Sequence, residues 1–286
     1  MKIRANNIDI EIEDTHPGDA TGRPVVLLIM GLGMQLIAWP PAMVQAIADA
    51  GFRVVRLDNR DIGLSQHFDN LGQPNLLWAG LKFRMGLHIR APYSIEDMAA
   101  DTVGVLDALK IPKAHVVGVS MGGMVAQRMA VLAPSRVTSL TSIMSSSGAR
   151  GLPEASPAVT RVLLSRPAGK GMQAAIDHTA RLLKVIGSPG FPTPDAELRE
   201  KVAAAAQRSF HPQGVVRQMV AIAADRTRAA ALAKVTVPTL VLHGRADPLV
   251  PMACGQDTAR RIPGARFESI EGMGHDLPPE IGRAHV

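Results

Sequence analysis

The 286-residue chain has one cysteine, one tyrosine and two tryptophans, and aromatic residues make up only 3% of it. With Cys254 alone, no intramolecular disulfide can form and a cysteine-based zinc site is excluded; the thiol reads as a packed one. No stretch approaches the ~18 uninterrupted apolar residues of a membrane span. Met1 to Glu13 alternates polar and apolar residues where a signal peptide would carry a continuous apolar core. A cytoplasmic protein is therefore expected, as a monomer or homodimer. The net charge is +6, yet Lys and Arg form no run, so the charge is read as solubility and no nucleic-acid partner is expected. What is abundant is apolar. Hydrophobic residues make up 47% of the chain, enough for the core of one large domain or of a domain with an inserted subdomain.

The most informative stretch is Val116-Val117-Gly118-Val119-Ser120-Met121-Gly122-Gly123-Met124, where a β-branched run meets Gly-x-Ser-x-Gly and passes directly into a helical pattern. A strand that becomes a helix over one residue forces Ser120 into a strained conformation. Gly118 and Gly122 then stand where a β-carbon would collide with neighbouring backbone. The hydroxyl is left exposed at the strand's carboxyl end. Met121 N–H falls in the first helical turn, where unpaired amides and the positive end of the macrodipole favour a developing oxyanion.

Around this stretch the chain alternates strand and helix patterns. Lys2 to Glu13 sets Ile8, Ile10 and Ile12 against charged neighbours, with a turn at Asn6-Asn7, and predicts an edge hairpin. Val25 to Met30 reads as a strand buried on both faces, running into Gly31-Leu32-Gly33. A helix is predicted over Gln35 to Ala50 with Gly51 as its stop, then a strand over Arg53 to Leu57. The charged loop Asp58 to Ser65 is read as held by hydrogen bonds and ion pairs. Within Gln66 to Pro92, the apolar and basic stretch Leu76 to Met85 predicts a short helix over the site. The first reading of it is a surface excursion packed on the body; the second is a gate or an interfacial segment that contacts a membrane. Ser94, with Asp97 three residues on, caps a helix to about Lys110. His115 to Val119 is the next strand, Met121 to Ala133 its helix, and Val137 to Met144 another strand. From 149 to 235 the pattern is helical, broken by prolines and glycines, and predicts a helical cap inserted into a core made of 1–148 and 236–286. The sheet resumes over Val237 to His243, followed by a helix over Pro251 to Ile262 and a strand over Arg266 to Ile270.

Asp247 lies just past one of these strands, and His275 just past the last, on Glu271-Gly272-Met273-Gly274-His275. Both therefore project onto the edge that carries Ser120. A serine hydroxyl is a poor nucleophile at neutral pH, so His275 would take its proton and return it to the leaving group, with Asp247 holding the imidazole tautomer. His115 opens its strand at the wrong end, His243 precedes the Asp loop, and His285 is in the tail; Asp58, Asp61 and Asp276 remain open as alternatives to Asp247. An oxyanion hole needs a second donor, expected from Leu32 N–H. Trp39, Met124, Met144 and Leu249 are candidate substrate-pocket residues, with ordinary core as the alternative reading. This chemistry requires no metal and no organic cofactor.

Elbow, Asp loop, His loop and helical insert together resemble the α/β-hydrolase superfamily over nearly the whole chain, in the order Ser120, Asp247, His275. The resemblance implies an α/β fold with a mostly parallel central sheet flanked by helices. Ile29-Met30-Gly31-Leu32-Gly33-Met34-Gln35, Trp39-Pro40, Asp58 to Ser65 and the elbow are similar to a group of bacterial carboxylesterases that includes aclacinomycin methylesterase. That similarity implies a small-molecule ester substrate. Met30 departs from the His-Gly of many α/β-hydrolases. Ile281 to Val286 does not read as the final helix of such proteins, and a shortened end is expected. A cofactor-free perhydrolase, haloperoxidase-like or lactonase activity on the same residues is the alternative, and a non-catalytic ligand-binding protein the alternative of another class. Serine at 120 argues against dehalogenase and epoxide hydrolase chemistry.

Overall fold

The computed structural model describes residues 1–19 and 22–278. The expectations for His285 and for Ile281 to Val286 lie outside the described residues. Among those described, eight strands form one sheet in the order β1-β2-β4-β3-β5-β6-β7-β8. β1 (Lys2–Ala5) and β2 (Ile8–Asp14) are the antiparallel edge hairpin, turned through Asn6 and Asn7 at φ 47° and 62°. β2 pairs antiparallel with β4 (Arg53–Leu57). Every later pairing is parallel: β4 with β3 (Val25–Ile29), β3 with β5 (Ala114–Val119), then β6 (Val137–Ile143), β7 (Thr239–Gly244) and β8 (Arg266–Ile270).

β3 is buried throughout because helices cover both faces of the sheet. Its odd residues, Val25, Leu27 and Ile29, join a core with α3 (Ile95–Ala108) and α4 (Met121–Leu132). Val26, Leu28 and Met30 face the opposite core with Trp39 and with Ile47 of α1 (Pro41–Asp49). This alternation is the two-faced period of a strand. α3 begins with the expected capping box: Ser94 Oγ accepts from Asp97 N–H while the Asp97 carboxylate accepts from Ser94 N–H.

One expectation is corrected. The helix predicted over Gln35 to Ala50 is a 3-10 turn at Leu36–Ala38 followed by the separate α1, because Pro40-Pro41 interrupts the chain and Pro41 occupies the first helical position. Leu76 to Met85 forms the expected helix, α2 (Leu76–Arg84), a surface excursion that packs on α8 (Pro212–Ala224) with none of its residues buried.

Between β6 and β7 lie α5 (Pro157–Leu164), α6 (Gly171–Ile186), α7 (Asp195–Arg208), α8 and α9 (Arg228–Ala231), with no strand. α10 (Met252–Arg261) then packs on β7 and β8. Cys254 on α10 is buried, as a packed thiol should be. Among the described residues no helix is long and apolar enough to cross a membrane.

Candidate active site

Ser120 joins β5 to α4 at φ 54° and ψ −118°, a left-handed-side conformation that a non-glycine residue adopts only under constraint. The constraint is visible on both sides of the residue. Its N–H donates to the Ile143 carbonyl at 2.9 Å, and its carbonyl accepts from Ser145 Oγ at 2.7 Å. A β-carbon on Gly118 would run into the Gly122 carbonyl, and one on Gly122 into the carbonyl of Ile29. Both glycines are therefore dictated by close backbone approach.

His275 stands on the loop after β8 with Nδ1 2.7 Å from Asp247 Oδ2 and Nε2 3.0 Å from Ser120 Oγ. A carboxylate only accepts, so the proton of the neutral ring sits on Nδ1. Nε2 is then left to accept from the serine hydroxyl. Asp247 is buried. Burial alone would raise its pKa, but hydrogen bonds from His243 and His275 outweigh that and bring it down to about 2. Its Oδ1 accepts from the N–H groups of Leu249 and Val250 at 2.9 and 2.8 Å, which ties the loop after β7 around the carboxylate.

The other candidates disperse. His115 bonds Ser139 Oγ at the far end of β5. Asp58 accepts from the N–H groups of Leu36 and Leu64 and pairs with Arg208, and Asp61 pairs with Arg217. These contacts match the structural reading of that loop. Asp276 bonds Ser188, and its burial raises its pKa. His243 is fully buried, with Nε2 2.7 Å from the Val250 carbonyl and 3.4 Å from Asp247 Oδ2. Trp39 and Met144 are packed in one hydrophobic core and Met124 in the other, while Leu249 is half-buried beside Asp247.

The loop after β3 abuts the serine: a β-carbon on Gly31 would lie 3.2 Å from Ser120 Cβ and 3.8 Å from Oγ. Among the described residues, neither Leu32 N–H nor Met121 N–H has a protein acceptor. Residues that no motif signalled complete the surroundings. Gln218 on α8 accepts from Gly33 N–H at 3.0 Å and donates to the Arg60 carbonyl at 3.0 Å. Ser188, after α6, accepts from Gly274 N–H at 2.9 Å, and the Ile186 carbonyl accepts from His275 N–H at 2.7 Å. The helical segment between β6 and β7 thus grips both the β3 loop and the His275 loop. Its only sequence sign near Ser188 is the Gly187-Ser188-Pro189-Gly190 break.

A family model for the alpha/beta hydrolase fold matches residues 24–280. The chain belongs to the α/β-hydrolase fold family. Rhodomycin D methylesterase DauP of Streptomyces sp. (strain C5) is 31% identical over 281 residues, covering 91% of this chain and 87% of that protein. Rhodomycin D methylesterase DnrP of Streptomyces peucetius is 30% identical, covering 95% and 91%. The meta-cleavage product hydrolase CumD of Pseudomonas fluorescens IP01 superposes with a TM-score of 0.72 at 21% identity, over 96% of this chain and 90% of that one, which is a likeness of fold.

Proposed function

We propose that this α/β-hydrolase is a carboxylic ester hydrolase working through an acyl-enzyme on Ser120. The observation that carries this reading is the unbroken line of hydrogen bonds from Ser120 Oγ to His275 Nε2 at 3.0 Å and from His275 Nδ1 to Asp247 Oδ2 at 2.7 Å. On attack, the Ser120 oxygen bonds to the ester carbonyl carbon and its proton passes to His275 Nε2. The imidazolium is stabilised by the ionised Asp247 and returns the proton to the departing alcohol. Water, deprotonated by His275 in turn, then releases the acid.

The oxyanion of each tetrahedral intermediate is assigned to the unpaired N–H groups of Leu32 and Met121, a hole of the kind whose single donors contribute roughly 10²- to 10³-fold in turnover. Residues 149–235 are read as the cap, consistent with the grip of Ile186, Ser188 and Gln218 on the site loops. Ester as the bond class is supported by the two methylesterases among the relatives.

The test is hydrolysis of p-nitrophenyl esters graded from acetyl to palmitoyl by the parent and by Ser120→Ala. Turnover by the parent and none by the variant is expected, with the chain-length profile sizing the acyl site. Equal turnover by both proteins would overturn the assignment.

A further inference from the structure

We propose that α2 docks the protein onto anionic lipid surfaces. Leu77, Trp78, Leu81 and Met85 follow one another at spacings of one, three and four residues, so they share one side of the helix. That side is in water: Leu77 is 86% exposed, Trp78 58% and Met85 62%. Arg84 and Lys82 flank it, one on each border. Phe83, on the other side, lies under the Arg226 guanidinium at 5.5 Å, and its carbonyl accepts from Arg226 at 3.1 Å. The helix is thereby anchored through α8 and its neighbour while its apolar stripe stays free. Leu87, just beyond, extends the exposed apolar surface.

Such a patch on a water-soluble domain marks an interaction site, and the charge around it selects the partner. No acidic residue occurs between Asp69 and Glu96, while Lys82, Arg84 and Arg90 do, and Arg150 lies beside Gly86. A second copy would bring the same cations against these. An anionic bilayer instead offers hydrocarbon for the leucines, an interface for the indole and phosphate for the arginines. α2 rests on α8, the helix whose Gln218 holds the Gly33 loop. The inference is independent of ester hydrolysis, because binding is read without turnover.

The chain has two tryptophans, and Trp39 is fully buried, so a lipid-induced change in emission reports Trp78. The full chain is mixed with vesicles of phosphatidylcholine alone or of equimolar phosphatidylcholine and phosphatidylglycerol. Co-sedimentation with the anionic vesicles, a blue shift of emission and release by high salt are expected. The double variant Leu77→Ser/Trp78→Ser should keep the parent's circular dichroism and melting temperature and bind at least about tenfold more weakly. Absence of pelleting, undiminished binding by a folded double variant, or a concentration-dependent blue shift without lipid, which would reveal a dimer over α2, would each overturn the proposal.

Discussion

The Gln218 side chain bridges two backbones, accepting from Gly33 N–H and donating to the Arg60 carbonyl, each at 3.0 Å. It is fully buried on α8, so a residue from the helical insert fixes the turn that presents Leu32 N–H. Gln218→Leu keeps the volume and removes both bonds. Because small misplacements of a stabilising group cost up to about 10²-fold, kcat on a p-nitrophenyl ester is expected to fall by about ten- to a hundredfold with KM little changed. Parent-like kcat in a folded variant would show that the turn holds itself.

Asp247, the orienter in the proposed mechanism, also bears on acid stability. Its pKa of about 2 in the folded protein lies below the ordinary 3.8, so its ionised form stabilises the fold above pH 3.8, and that contribution is lost as pH falls toward 2. Asp247→Asn should abolish this part of the acid dependence, so that its melting temperature approaches the parent's as the pH is lowered. At neutral pH the same variant favours the wrong imidazole tautomer and should lose turnover on the order of 10³- to 10⁴-fold. Thermal melts across that pH range and a single rate measurement check both halves.

Gly122 and Gly123 are adjacent but differ in what a methyl group would meet. On Gly122 it would overlap the Ile29 carbonyl of β3, with Met30 O only 2.7 Å away; on Gly123 it would meet Ser145 Cβ at 2.7 Å and Oγ at 2.8 Å, a single side chain whose Cβ moves only with a small shift of its own backbone. Gly122→Ala is expected to destabilise by more than about 3 kcal/mol and Gly123→Ala by about 1–3 kcal/mol. Urea denaturation of the two variants orders them.

Much of this was legible in the sequence because it follows from local rules. The glycines of the elbow, the Ser94–Asp97 capping box and the apolar β3 each declare themselves within a few residues. Ser120, Asp247 and His275 could be placed on one edge because each follows a strand. Gln218 and Ser188 were not legible: each acts on a loop far away in the chain, nothing in its neighbours marks Gln218, and the glycine-proline break around Ser188 marks a loop without saying what it holds. The helix over Gln35 to Ala50 failed for the opposite reason, since its apolar period continued through Pro40-Pro41, where backbone sterics decide. For α2, a surface helix packed on the body was legible, but composition alone does not reveal which side of a helix finds a neighbour.

The pair Arg217–Asp61 offers the sharpest test of how the insert is joined to the sheet. Arg217 Nε and one terminal nitrogen reach the two oxygens of Asp61 at 2.7 and 2.8 Å, and both side chains are at most 1% exposed. Burial would raise the Asp61 pKa, but the hydrogen bonds from Arg217 and the Phe68 N–H outweigh it, so the carboxylate stays ionised. Removing the guanidinium leaves a buried charge without its partner, at a cost of about 3–5 kcal/mol. Arg217→Met should therefore unfold at a much lower temperature at neutral pH. Without Arg217, the Asp61 pKa in the folded state rises above its unfolded value, so the variant should regain stability as the pH is lowered and Asp61 takes up a proton. Adding Asp61→Asn removes the charge and keeps an acceptor for the Phe68 N–H. The double variant should thus be more stable than Arg217→Met alone at neutral pH and lack its pH dependence. Equal stability of the single and double variants would mean that the loss comes from packing around α8 and not from the stranded carboxylate.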